Sequence, residues 1–326
     1  MGLPFCLFLN IVSLVSLEQN IFRILSGEPG ANVKREGKKN LYMAFTVVEQ
    51  ALVGKIADSS SCEDALVITP GFAAVIDGAT SKSPLRFSGK TTGRVAAELL
   101  CEVVATLPVD ATLDKFVAET GERFIEFYRH NGILERVTVD PSCRLAASVA
   151  VYSDVRREVW SVGDCRVRIA DKVFMHEKAV DVRLAGKRAA AIEAYLSQGS
   201  SLDALRVHDV GRMAIENELR EQLSAQNNPG VPEAYGVIDG FTPYAADVHC
   251  YRVEPGSEVV LSTDGYPLPL STLSAAEYYL GEILRDDPLC FRRYKSTKGR
   301  YDGYLSFDDR AYVRLRVDSK TDETKV

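Results

Sequence analysis

Short β-rich runs that each end at acidic residues constrain this chain more than any other feature. Ala65 to Thr69 reads ALVIT and Phe72 to Ile76 reads FAAVI, with Pro70-Gly71 between them. Two such runs joined by a Pro-Gly turn form a hairpin. Glu63-Asp64 precede its first strand and Asp77-Gly78 follow its second, so both acidic groups fall at the same open end. The pattern returns where EVVLST runs into Asp264-Gly265, and where Asp308-Asp309 introduce the alternating run AYVRLRV. An acid followed by Gly at a strand end also serves as an ordinary turn. Several of them, each beside an apolar run, are what a fold needs to gather carboxylates for divalent cations.

The rest of the chain alternates helices and strands in blocks. A helix is expected from an N-cap at Ser88 to about Thr106, on the four-residue spacing of Val95, Leu99 and Val103. A second is expected from Leu113 to His130, with Phe116, Val117, Phe124 and Tyr128 inward and Gly132 as its stop. Strands follow near Leu145 to Tyr152, Glu158 to Val162 and Val167 to Ala170, the last two separated by Gly163-Asp164. Asp181 to Gln222 reads as mostly helical, broken at Gly199 to Ser201 and ended by the turn Asn227-Asn228-Pro229-Gly230. Strand-rich ends and middle with paired helices between them imply an α+β class. The linear pattern does not fix the topology.

Composition sets outer limits. The chain has 326 residues, 46% of them hydrophobic, enough for a sizeable core. A net charge of -6 argues against a nucleic-acid partner, which needs a concentrated basic face. The 7 cysteines are scattered and none forms a C-x-x-C pair, which favours reduced thiols in the cytoplasm over a disulfide framework or a zinc site. With only 4 histidines, no two of them neighbours, a histidine triad and an H-E-x-x-H zinc helix are excluded. No P-loop or dinucleotide fingerprint occurs.

Residues 1–42 differ from the rest. Leu3 to Leu17 is apolar but short for a membrane span, lacks a preceding basic residue, and is followed by the polar linker Gly27 to Asn40. Met1-Gly2 opens a myristoylation-like pattern that Cys6 interrupts. Two readings stay open: translation starts at Met43, or the segment is a membrane or partner anchor. A membrane partner is expected only in the second case.

Taken in order, CEDA (Cys62 to Ala65), VIDGAT (Val75 to Thr80), SVGDCR (Ser161 to Arg166), LSTDGY (Leu261 to Tyr266) and FDDRAYV (Phe307 to Val313) resemble the signature motifs of the type 2C metal-dependent serine/threonine protein phosphatases, in a divergent, bacterial-like form. The resemblance spans about Ala44 to Val317. It implies a four-layer α+β sandwich, with two central, mainly antiparallel β-sheets flanked by α-helices, over residues 43–326. It also implies a helical flap near 178–235 that tunes substrate choice. The residues alone read equally well there as amphipathic helices on a core sheet.

The resemblance further implies two or three Mg²⁺ or Mn²⁺ ions and a phosphoprotein substrate attacked by metal-bridging water, with no catalytic side chain. Asp77 would bridge two ions, the Gly78 carbonyl would ligate one, and Glu63, Asp264 and Asp308 would complete the pair. Asp64 would bind through water or support the ligands, and Asp164 would help hold a third ion. Asp309, one residue from Asp308, is the alternative final ligand. A hard, oxygen-only donor set of this kind suits Mg²⁺ or Mn²⁺.

Three departures bear on phosphate recognition. Ser59 stands where many family members have an Arg, Ala79 where the eukaryotic branch has a His, and Ala146-Ala147-Ser148 where the family has Gly-Ser/Thr-Thr. Lys82 and Arg86 are candidate replacements for the missing positive charge, or solvated loop cations. The basic, aromatic run at Phe291 to Tyr301 is either a docking surface for an acidic phosphoprotein or a solvated loop. The departures also leave room for a catalytically silent relative acting as a regulatory or scaffolding module.

Overall fold

The computed structural model describes residues 44–80 and 82–319. The expectations for residues 1–42 lie outside the described residues. Among the described residues, ten strands form two five-stranded sheets: β1 (Phe45–Val53), β10 (Arg310–Val317), β9 (Glu258–Ser262), β6 (Arg166–Ile169) and β7 (Lys172–Phe174) in that order, and β2 (Ala65–Ile68), β3 (Phe72–Gly78), β4 (Ala147–Ser153), β5 (Glu158–Val162) and β8 (Val248–Arg252) in the other. Every pairing between these strands is antiparallel.

Strand alternation divides the core. On β3, Phe72, Ala74 and Ile76 pack toward α1 (Thr92–Thr106) and α2 (Leu113–His130), among Leu99, Leu100, Phe116, Phe124 and Tyr128. Ala73 and Val75 face the other sheet and meet Val259, Leu261, Val313 and Leu315. On β10 the neighbouring Tyr312 turns outward to a helix at Leu273–Asp286, against Leu280, Ile283 and Leu284. The result is four layers: helices, sheet, sheet, helix.

Register explains why the acids meet. Ala65 opens β2 opposite Ile76, and Ala147 opens β4 opposite Gly78, so Glu63-Asp64, Asp77 and Ser148 share one end of their sheet. Val162 closes β5 opposite Val149, which puts Gly163-Asp164 at that end too. In the other sheet Ser262 pairs with both Tyr312 and Arg166, so Asp264 and Asp308-Asp309 lie at one end of its strands. All the acidic motifs therefore sit at one end of the sandwich.

The hairpin forms as expected: the Thr69 amide donates to the Phe72 carbonyl at 2.8 Å, across Pro70-Gly71. Helix α2 has the expected bounds, capped by Thr112 and passing into Gly132 at positive φ. The first helix begins at Thr92 rather than near Ser88. Ser88 lies in a turn closed by the Phe87–Lys90 bridge, and Thr91 takes the cap, accepting from the Arg94 amide. Four helices occupy the expected helical stretch: α3 (Ala179–Ser197), α4 (Leu202–Val207), α5 (Val210–Ala214) and α6 (Glu216–Glu221), with a break at 198–201. The helix Leu273–Asp286 was legible from the Thr272 cap and the spacing of Ala276, Leu280 and Ile283, but the sequence reading assigns nothing there.

Candidate functional site

The two Asp-Gly pairs are explained by close backbone approach. A Cβ on Gly78 would stand 2.4 Å from the carbonyl oxygens of Glu63 and Gly93, and one on Gly265 would stand 2.0 Å from the Asp309 carbonyl. Each glycine therefore lets one acidic motif dock on another. Gly163, at φ +88, plays a related part: a Cβ there would meet the Ser148 hydroxyl at 2.3 Å. Ser148 instead donates to Asp164 Oδ1 at 2.5 Å.

Among the acids, Asp64, Asp77 and Asp264 form the inner set. Burial, then the neighbouring carboxylates, push all three toward protonation: Asp64 and Asp77 well above the usual carboxylate range, and Asp264 to about 6. Asp64 is buried and its Oδ2 has no hydrogen-bond partner. These groups gain most from a cation among them.

The outer acids already have cations. Lys55 Nζ lies 3.0 Å from Asp309 Oδ2, 3.4 Å from Asp308 Oδ1 and 3.6 Å from Glu63 Oε2. Lys298 Nζ bonds Asp308 Oδ2 and lies 3.2 Å from Thr80 Oγ1. Lys178 Nζ sits 2.9 Å from Asp164 Oδ2. Burial opposes the charge on Asp308 and Asp164, yet Lys298 and Lys55 hold the first below the usual carboxylate range, and Lys178 with Ser148 holds the second there. Asp309 is turned to structural work, accepting from the Lys55 amide at 2.7 Å and the Glu63 amide at 3.1 Å. Glu63 Oε1 accepts from the Thr91 hydroxyl at 2.7 Å.

The structure thus brings Glu63, Asp64, Asp77, Gly78, Asp164, Asp264, Asp308 and Asp309 to one end of the fold. As they stand among the described residues, no group of three or more His, Cys, Asp or Glu side chains is arranged to hold an ion. The lysine pairs give a physical reason, since they engage the same oxygens. For divalent ions the inner carboxylates fit by charge, hardness and an unused oxygen, while the outer ones fit only if the ammonium groups release them.

Of the two candidate phosphate residues, Arg86 folds back on its own loop and donates to the Ser83 and Leu85 carbonyls. Lys82 is within electrostatic reach of Asp181 and Asp308. Burial, then Arg212 and Lys298, lower its ammonium to about 7, against the pull of Asp181 and Asp308. A cavity of about 310 Å³ opens beside the cluster, lined by Asp164, Arg166, Lys178, Asp181, Asp264 and Tyr294 among others. The sequence reading missed Lys55 and Lys178, noted Lys298 only within a basic run, and noted Ser148 only as a departure.

No protein-family model matches the chain, and no curated protein matches it. Solved structures similar to it include PppA, described as a key regulatory component of the T6SS in Pseudomonas aeruginosa, at 11% identity over 83% of this chain and 97% of that one, with a TM-score of 0.43. The catalytic domain of the serine/threonine protein phosphatase PstP, in complex with two manganese ions, is 14% identical over 84% and 98%, with a TM-score of 0.43. The PPM Ser-Thr phosphatase MsPP from Mycobacterium smegmatis is 13% identical over 83% and 99%, with a TM-score of 0.40. Likeness at this level carries no argument about chemistry. Among the described residues, no helix is long and apolar enough to cross a membrane.

Proposed function

We propose that the chain hydrolyses phosphate monoesters, taking phosphoserine and phosphothreonine in proteins, with Mg²⁺ or Mn²⁺ held at the carboxylate cluster. One observation carries this reading: acids from both sheets converge at one end of the sandwich, and the buried Asp64 keeps an oxygen without a partner. We assign Asp77, Asp264 and the Gly78 carbonyl to hold the ions, joined by Asp308 and Glu63 from the outer set. Asp64 and Asp164 support them, and Asp309 orders the surrounding backbone. Divalent ions in such a site lower the pKa of water and draw charge from phosphoryl oxygens.

The remaining chemistry belongs to the chain itself. Cys62 and Cys165 adjoin the cluster but are buried, and burial followed by nearby carboxylates pushes both thiols up, Cys62 to about 12. They remain protonated and are poor nucleophiles, which favours attack by water. Lys82 is the candidate for meeting the substrate phosphate, because an incoming anion offsets the repulsion from Arg212 and Lys298.

A second reading, a catalytically silent module, is favoured by the lysine pairing of Glu63, Asp308 and Asp309. Hydrolysis of an aryl phosphate and a phosphothreonine peptide by the full chain, in Mn²⁺, in Mg²⁺ and in chelator, decides between them. Metal-dependent turnover supports the hydrolase; no turnover from folded protein in either metal favours the module.

A further inference from the structure

The basic run at Phe291 to Tyr301 is an ordered loop with a defined task. The Asp287 carboxylate accepts from the amides of Phe291 at 3.0 Å, and of Arg292 and Arg293 at 2.7 Å. Arg188, fully buried on α3, donates to the carbonyls of Leu289 at 2.8 Å and Ser296 at 3.0 Å while its other nitrogens clasp Asp209 Oδ2. Arg212 on α5 donates to the Thr297 carbonyl at 2.8 Å. A Cβ on Gly299 would meet Arg188 Nη2 at 2.8 Å, so the chain passes close against this clamp. The residue between the Arg212 contact and Gly299 is Lys298, whose ammonium lands on Asp308 and Thr80.

Lys55 arrives from the opposite end of the sequence at the other Asp308 oxygen. Two ammonium groups thus grip one carboxylate from both sides, and Lys55 also reaches Glu63 and Asp309. Carboxylate oxygens engaged in this way are the donors a divalent ion would use, so ammonium and metal are alternatives there. A lysine head on a four-carbon stem can withdraw by rotation alone, leaving the clamped loop in place.

We propose that Lys298 and Lys55 are resident counter-ions of the outer carboxylates and compete with divalent cations for Asp308 and Glu63. The inference rests on the metal reading above and deepens it: metal loading requires both ammonium groups to let go.

The test is calorimetric titration of the chelator-stripped full chain with Mn²⁺, comparing wild type, Lys298→Met, Lys55→Met and Lys187→Met. Lys187 is an exposed lysine paired with Glu218 and controls for the loss of one positive charge. Lys298→Met and Lys55→Met are expected to bind Mn²⁺ about tenfold more tightly than wild type, or about 1.4 kcal/mol, and to melt at lower temperature in chelator, with Mn²⁺ restoring the loss. The control is expected to change affinity less than twofold. Should one variant fail to fold without metal, the other supplies the titration. Wild-type binding with unchanged or weaker affinity in the two variants overturns the competition alone. Absence of Mn²⁺ binding in wild type and variants overturns the metal reading and the competition with it.

Discussion

Lys55 and Asp309 stand 254 residues apart in the chain and are joined twice: the carboxylate accepts from the Lys55 amide at 2.7 Å and from its ammonium at 3.0 Å. Asp309 Oδ2 also takes the Glu63 amide at 3.1 Å. One buried side chain therefore ties the exit of β1, the approach to β2 and the start of β10, which is where the two sheets must register for the acids to converge.

Removing that tie is expected to cost stability before it costs chemistry. Asp309→Ala leaves two backbone amides without their partner and takes one of three carboxylates from the half-buried Lys55 ammonium, and is expected to destabilise by about 2–4 kcal/mol. Urea unfolding in chelator measures it. A loss below about 1 kcal/mol would show that the tie is dispensable.

Gly78→Ala and Gly265→Ala are expected to destabilise by about 3 kcal/mol or more, since each new Cβ meets backbone that cannot swing aside. Gly281→Ala, on the helix at Leu273–Asp286 with open space around it, is expected to be neutral or stabilising by up to about 1 kcal/mol. Thermal melts of the three variants check both expectations, and equal melting temperatures would contradict the close-approach explanation.

Much of the fold was legible because β-alternation and helix spacing are local signals. The hairpin at Thr69–Phe72 and the helix Leu113–His130 follow from their own residues. The inner acids were legible because each lies at a strand end, Asp77 and Asp264 beside a glycine that lets a neighbouring motif dock. The lysines were not. Lys55, Lys178 and Lys298 lie on connections whose paths are set by tertiary contacts, such as the Arg188 and Asp287 clamps, and no periodicity marks where a loop residue will point. Arg86 shows the same limit in reverse: near Asp77 in sequence, it spends its guanidinium on the carbonyls of its own turn. Ser88 was a plausible cap by type, but Thr91 reaches the helix because residues 87–90 close a turn first.

Lys82 carries a pH signature. Its folded value of about 7 lies below the ordinary lysine value, through burial and then Arg212 and Lys298, so the unfolded chain binds the extra proton between about pH 7 and 10.5. Stability rises with pH across that window, and the penalty of the charged form is complete below it. Lys82→Met is therefore expected to be more stable than wild type at pH 6, with the difference shrinking toward pH 10. Melting curves at both values test the sign; a gain that is equal or larger at pH 10 would contradict it.

Arg188 is a fully buried cation whose bonds join α3 to the loop bearing Lys298. Arg188→Met is expected to leave Asp209 without its cation and free that loop, costing about 3–5 kcal/mol and opening residues 289–301 to limited proteolysis. Unchanged protease resistance would show that Asp287 and Arg212 hold the loop without Arg188.

The central claim is that the converging carboxylates hold metal for phosphate-ester hydrolysis, and Asp77 is its pivot. The most direct measurement is turnover of an aryl phosphate at saturating Mn²⁺ by wild type and Asp77→Asn, with circular dichroism confirming that both are folded. The account predicts metal-dependent turnover that falls at least about a hundredfold in the variant. Equal turnover in the two proteins, or turnover that persists in chelator, would contradict it.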